Sequence, residues 1–405
     1  MRHLPKEVWV LTLCQVLFTA GISVDLTITS LAGQSLTAHP DLATVPFALL
    51  TVGGALAMPV LGWHFRTYGR RSALIAGSIT GLSGALISTS SVWMHSFWGL
   101  CLGCLLVGAF QASAQFYRLA AGDLVTHESK QHAVSLVLAG GVIAAFFGPA
   151  LAVWGAALWP TSLYAGSYLI VGLLTLFCVV LLSVGYRTDA LPAPSSMPAE
   201  KPLRAYSALK QPTYLVATLN GVLITSVMML LMSAAPLAIV QAGKTMADGA
   251  AVMQWHLVGM YAPSLIAGFT FRKLGAGASL VIGIILTLLA VLVGMHDAHH
   301  LSSYYWALAL LGVGWNINFV TSSILLSHGD NLHLRRSAQT ASETLRYFFS
   351  SVASLTAAAA LGYAGWRGLN IAMLPLLLIG IVSCGWWFIV TKAKSGQGSN
   401  QPDYK

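Results

Sequence analysis

Two pairs of soft metal-ligand side chains stand four residues apart in apolar stretches of the chain, Met228 with Met232 and His256 with Met260. Residues at i and i+4 share one face of a helix, so each pair would present two donor atoms in one direction. A thioether is a soft ligand that favours Cu(I), and imidazole accepts several transition metals, copper among them. The alternative is packing: methionine fills irregular gaps between apolar helices, and a histidine there can cap or hydrogen-bond a neighbouring helix. Further donors exist. Cys101 and Cys104 could hand a soft metal along or simply pack as small apolar residues. Met295, His296, His299 and His300 form a short cluster that could capture metal at an entrance, or be solvated loop residues.

Ionisable residues inside apolar runs are the next candidates, because a charge in hydrocarbon is costly unless it pairs, changes protonation or meets water. Asp25 is the leading candidate for proton coupling, with a helix-stabilising hydrogen bond as its alternative. Glu343 and Arg346 are three apart and suited to pair with one another. Arg118 and Asp123 lie near one end of an apolar run, where they would stabilise one gate conformation or anchor at the interface. No Gly-x-x-x-x-Gly-Lys-Ser/Thr loop occurs, which argues against direct ATP hydrolysis.

The elements that must position these residues are membrane helices. Of 405 residues 56% are hydrophobic and 8% charged, against about 25% charged in an ordinary soluble domain. The apolar runs repeatedly reach the roughly 20 residues that cross a bilayer as a helix, too long for the roughly ten-residue alternating strands of a barrel. Twelve are expected, near 8–31, 43–63, 72–92, 96–120, 133–155, 162–184, 213–240, 252–270, 276–295, 302–327, 339–362 and 367–391. The first follows Arg2 and Lys6 and is longer than the apolar core of a cleaved leader, so it is expected to remain. Five cysteines, odd in number and all within apolar runs, imply no disulfide framework.

Basic residues set the expected orientation. Of 21 Lys and Arg, all but Lys244, Arg367 and the in-span Arg118 and Arg346 fall on the side of the N-terminus. By the positive-inside rule both termini are then cytoplasmic. The net charge of +9 is explained by this topology rather than by a nucleic-acid partner, since no basic domain with interleaved aromatics exists. A connection at 186–212 with five prolines reads as an extended linker between two six-helix halves, 1–185 and 213–395, with a tail at 396–405. Gly62-x-x-x-Arg66-x-x-Gly69 recurs as Gly268-x-x-x-Arg272-x-x-Gly275, a trace of duplication characteristic of transporters. On this layout Met232 and Met260 lie about 12–14 Å below the outer surface. His256 is shallower and Met228 deeper, so the four donors could form a ladder.

The stretch Gly62-Trp-His-Phe-Arg-Thr-Tyr-Gly-Arg-Arg71 resembles the loop between helices two and three of the major facilitator superfamily, in Gly62, Gly69, Arg70 and Arg71. Arg66 and Thr67 stand where that family usually has Asp and Arg, which puts the usual acidic gating relay in doubt. The resemblance implies an all-α membrane protein of the major facilitator fold. The two ligand pairs, with Ser233-Ala-Ala-Pro236, Tyr261-Ala-Pro-Ser264, Gln115-Phe-Tyr-Arg118 and Ser135-Leu-Val-Leu-Ala-Gly-Gly141, further resemble the CcoA-like bacterial copper importers. That likeness implies a multi-pass protein of the bacterial inner membrane that supplies copper for cytochrome c oxidase assembly. Met228, Met232, His256 and Met260 would be its ligands, copper its cargo rather than a resident cofactor, and membrane or cytoplasmic copper chaperones its partners. Related permeases share these stretches, some of them considered riboflavin carriers. A carrier of riboflavin or a drug-like solute would use Trp255, Tyr261, Trp315, Asn316 and Asn318 as stacking surfaces and polar hooks. A copper-holding assembly protein is a third reading. An enzyme is the weakest, for want of a nucleophile and base at motif spacing.

Overall fold

In the computed structural model, which describes residues 4–187, 206–296, 300–327 and 332–397, the chain is a bundle of long helices with no strand among the described residues. Among the described residues ten helices are long and apolar enough to cross a membrane. One of them, Ser337–Thr391, is turned back at Gly365 and carries two crossings. A further crossing, 246–274, is interrupted at residues 262–263. Among the described residues the bundle therefore has twelve spans: Lys6–Leu36, 45–68, 70–93, Phe97–Asp123, His127–Leu158 and Ala165–Gly185, then Pro212–Gln241, 246–274, 276–296, Leu301–Leu325, 332–364 and 366–397. We number them 1 to 12. The expected linker lies mostly outside the described residues.

Helices continue where the sequence pattern placed loops. Spans 2 and 3 form one run of helix broken only at Gly69 (φ 83°, ψ 168°), and spans 8 and 9 turn at Gly275 (φ 76°, ψ 168°). That backbone region is essentially closed to residues with a Cβ. The glycines that end the two copies of the repeated motif thus make the same turn, and a third occurs at Gly365 (φ 64°, ψ 177°). Polar residues on either side signalled a loop, yet outside the hydrocarbon a helix remains the easiest way to satisfy backbone groups.

Within the spans, several buried hydroxyls are satisfied on their own helix. Thr12, Ser23, Thr27, Ser78 and Ser233 each donate to the carbonyl four residues back, which avoids an unsatisfied polar group in lipid. Span 4 starts on a side-chain cap, Ser96 accepting from Gly99 N–H, and span 8 on a capping box of Thr245 with Asp248. Exposed Leu102, Phe177, Val184, Phe388 and Ile389 face outward, as suits a lipid-facing surface.

The packing between spans 1–6 and 7–12 is uneven along the membrane normal. At the face away from the chain termini, Ser30 Oγ donates to Ser233 O at 3.0 Å and Ala358 N–H donates to Thr44 Oγ1 at 3.2 Å. One apolar core runs through both sets of spans there, with Ile28, Leu31, Ala43 and Phe47 beside Leu231, Ala235 and Leu361. Towards the termini, spans 1–6 instead hold a core of their own, from Val8, Leu11 and Phe65 to Tyr117, Leu182 and Tyr186. The apolar core shared by the two sets of spans therefore lies towards the face away from the termini.

Candidate substrate site

Span 8 carries His256 and Met260 on a face turned to span 10. His256 Nδ1 lies 2.7 Å from Leu308 O. A carbonyl only accepts, so Nδ1–H is the donor and Nε2 keeps its lone pair. That Nε2 is buried and has no hydrogen-bond partner among the described residues. One turn on, the helix stops before Pro263, which cannot donate to the preceding turn. Asn316 of span 10 bridges the break, its Nδ2 donating to Met260 O at 2.6 Å and to Ser264 Oγ.

Met228 and Met232 follow Gly221 and Thr225 along one face of span 7. Thr225 Oγ1 accepts from Trp315 Nε1 at 3.1 Å, so this face too is turned to span 10. All three methionines of the expected ladder are buried, in the core shared by both sets of spans. Spans 7 and 8 themselves touch only slightly, and span 8 packs chiefly on spans 10 and 5. Both ligand pairs are thus gathered round span 10 rather than packed helix against helix. Among the described residues no three His, Cys, Asp or Glu side chains converge as a metal cage.

The other expected donors lie elsewhere. Cys101 and Cys104 are buried within spans 1–6, where Cys104 lies near Ser88, Tyr168 and Asp25. Tyr168 OH donates to Thr29 Oγ1 at 3.1 Å. Met295 is half-buried and His296 and His300 are exposed at the far face, while His299 lies outside the described residues. Asp123 accepts from Arg70 at 2.7 Å, which ties the end of span 4 to the Gly69 turn. Arg71 donates to Ser183 O at 2.6 Å. Arg70 and Arg71 of the motif therefore bond within spans 1–6.

On the terminal side of the shared core, charged and aromatic side chains from spans 4, 10 and 11 come near one another. Glu343 and Arg346 pair on span 11. Arg346 lies over the Phe319 ring at 5.0 Å. Phe319 in turn stacks on Trp315, with centroids 4.9 Å apart and planes 13° apart. Arg118 of span 4 stands within electrostatic reach of Glu343, Arg346 and Tyr347, and its buried Nε has no hydrogen-bond partner among the described residues. Trp315 and Phe319 are both only partly buried. Of the aromatic hooks expected for an organic solute, Trp315 joins this cluster. Tyr261 instead faces Gly141 of span 5, and Trp255 is 51% exposed. Phe319 and Tyr347 were missed. The four-residue spacing of Trp315 and Phe319 was the available signal.

Residues 9–354 match the family model described as Major Facilitator Superfamily. The chain belongs to the major facilitator superfamily. A riboflavin transporter of Brucella anthropi, RfnT, is 29% identical over 380 residues, covering 93% of this chain and 94% of that protein. An uncharacterized MFS-type transporter of Bacillus subtilis, YddS, is 26% identical and covers 95% of this chain and 91% of its own. Among solved structures the peptide transporter PepTSo superposes with a TM-score of 0.72 at 13% identity, covering 98% of this chain and 99% of that one. An inward-facing, unoccupied bacterial homologue of the lysosomal transporter Spinster gives 0.69 at 16%, covering 96% and 98%. These likenesses show the shared fold. The copper likeness finds no counterpart in them, and the organic-solute alternative is the better backed of the two.

Proposed function

We propose that this major facilitator carries a flat organic solute of the riboflavin class across a bacterial inner membrane into the cytoplasm. The observation that carries the reading is the partly accessible Trp315–Phe319 stack, with Arg346 over the Phe319 ring. Stacked aromatic faces with a few polar groups beside them are what a planar ring system needs for binding. Similarity to the Brucella riboflavin transporter over nearly the full length supports the same class of cargo. The positive-inside distribution supports cytoplasmic termini, which puts the cluster on the cytoplasmic side of the shared core.

A second reading keeps copper as cargo, on one observation: the buried, unpartnered Nε2 of His256, one turn from the Met260 thioether. Such a site would hold the ion by few ligands, as release requires. Uptake of labelled riboflavin and of radioactive copper, measured in parallel in cells lacking their own carriers, separates the two. We expect riboflavin uptake by the wild type, a fall of at least about tenfold in Trp315→Ala, and no copper uptake above background. Copper uptake lost in both His256→Leu and Met232→Leu, with no riboflavin uptake, would overturn the first reading and establish the second.

A further inference from the structure

The charged cluster between spans 4 and 11 is unbalanced. Arg118 and Arg346 bring two guanidinium groups to one carboxylate, Glu343, and the buried Nε of each arginine lacks a partner among the described residues. Guanidinium is always charged and offers only donors, so in a poorly hydrated setting it requires acceptors. The carboxylate offers only acceptor sites. It is bonded to Arg346 on its own helix and lies within electrostatic reach of Arg118 of the opposite set of spans. The polar groups of the site are thus two donors, one from each set of spans, and one acceptor. Beside them lie the flat faces of Trp315 and Phe319, with Arg346 over the Phe319 ring. Tyr347 stands against Gly54 of span 2, which places the cluster between the two sets of spans.

We propose that this cluster binds a planar imide heterocycle, a conjugated ring whose edge reads carbonyl, N–H, carbonyl, with the two arginines donating to its carbonyls and Glu343 accepting from its N–H. Two donors and one acceptor are complemented by two acceptors and one donor, and an imide edge carries these together on one flat ring. The excess positive charge suits a ring richer in acceptors than donors. The inference rests on the proposed function and deepens it, since the isoalloxazine ring of riboflavin carries such an edge. It assigns the recognition of that ring to Glu343 and Arg118 rather than to the buried span 7 and span 8 residues.

The test uses the full chain, purified into lipid nanodiscs, with binding read from quenching of flavin fluorescence. Lumiflavin keeps the imide edge and lacks the sugar-alcohol chain; 3-methyllumiflavin has the imide nitrogen blocked. The wild type should bind lumiflavin at least about tenfold more tightly than the methylated form, because a site built on hydrogen bonds rejects a ligand that leaves them unmade. Glu343→Leu should erase that preference and Glu343→Gln, which keeps a carbonyl acceptor, should restore part of it. Arg118→Leu should weaken lumiflavin binding about tenfold, with Arg118→Lys intermediate. Each variant is compared at matched monodispersity, so a misfolded protein is recognised before binding is scored. Equal binding of the two flavins by the wild type, or no binding of either, overturns the assignment. Selective lumiflavin binding without riboflavin uptake in cells overturns the flavin-carrier reading while the imide site stands.

Discussion

The carboxylate of Asp25 lies in span 1 with 1% of its surface exposed, its Oδ2 without a hydrogen-bond partner among the described residues. Its surroundings are Cys104 of span 4 and Tyr168 of span 6, neither of them a cation. The in-span arginines are committed to the cluster at Glu343. A buried carboxylate without a cation is tolerated in hydrocarbon when it can hold a proton. Asp25→Asn removes the proton site while keeping the shape, and it should leave exchange of labelled for unlabelled solute near the wild-type rate. Accumulation driven by an imposed pH gradient in proteoliposomes should fall at least about tenfold. Gradient-driven accumulation that persists in the variant would remove Asp25 from the coupling step. Asp25 and the Glu343–Arg346 pair were legible in the sequence because each depends only on hydropathy or on spacing along one helix. Arg118 was visible as a charge, but its setting was not, since only the folded bundle brings span 4 against span 11.

Element by element, hydropathy found the spans and misjudged what joins them. The stretch from Arg66 to Arg71 and its counterpart around Arg272 carry enough polar residues to read as loops, yet helix runs through both and each reversal is made at a single glycine. Period and hydropathy sense the lipid, whereas hydrogen bonding of the backbone continues beyond it. The cost of this economy is measurable at Gly275. A Cβ added there would meet nothing within 4 Å, so any penalty comes from the backbone conformation alone. Gly275→Ala should destabilise by about 1–3 kcal/mol. Gly385 offers the control: its added Cβ also meets nothing within 4 Å, and it lies within the helix of span 12. There Ala should stabilise by about 0.5–1 kcal/mol. Heat-induced unfolding of the two purified variants should therefore shift in opposite directions, and a shift of the same sign in both would refute this account of the Gly275 turn. The break in span 8 was legible in part, because Pro263 stands in the sequence, whereas its repair by Asn316 is a contact across 56 residues.

On the scale of the whole molecule, the uneven packing between the two sets of spans has to be reversible for a solute to pass. The far face is held by Ser30 with Ser233, by Thr44 with Ala358 and by the apolar core around them. These are few polar bonds for so long a seam, and hydrogen bonds of this kind contribute only about 0.5–1.5 kcal/mol each. A seam of that strength can be opened by modest binding energy, since moving an equilibrium from mostly closed to mostly open takes about 5.5 kcal/mol. Locking it should therefore stop transport without abolishing binding. Thr44 and Ala358 touch across the seam, and the native cysteines described are all buried and can be replaced to give a clean background. With Thr44→Cys and Ala358→Cys joined by a short thiol cross-linker, net riboflavin uptake should fall to background. Flavin binding from the terminal face, measured in inside-out vesicles, should remain within about twofold of the unlinked protein, because the Trp315–Phe319 stack lies on the terminal side of the seam. Reduction of a cleavable linker should restore uptake. Transport at the unlinked rate with the linker in place would mean that the far face does not open there, and the solute path would have to be sought elsewhere in the bundle.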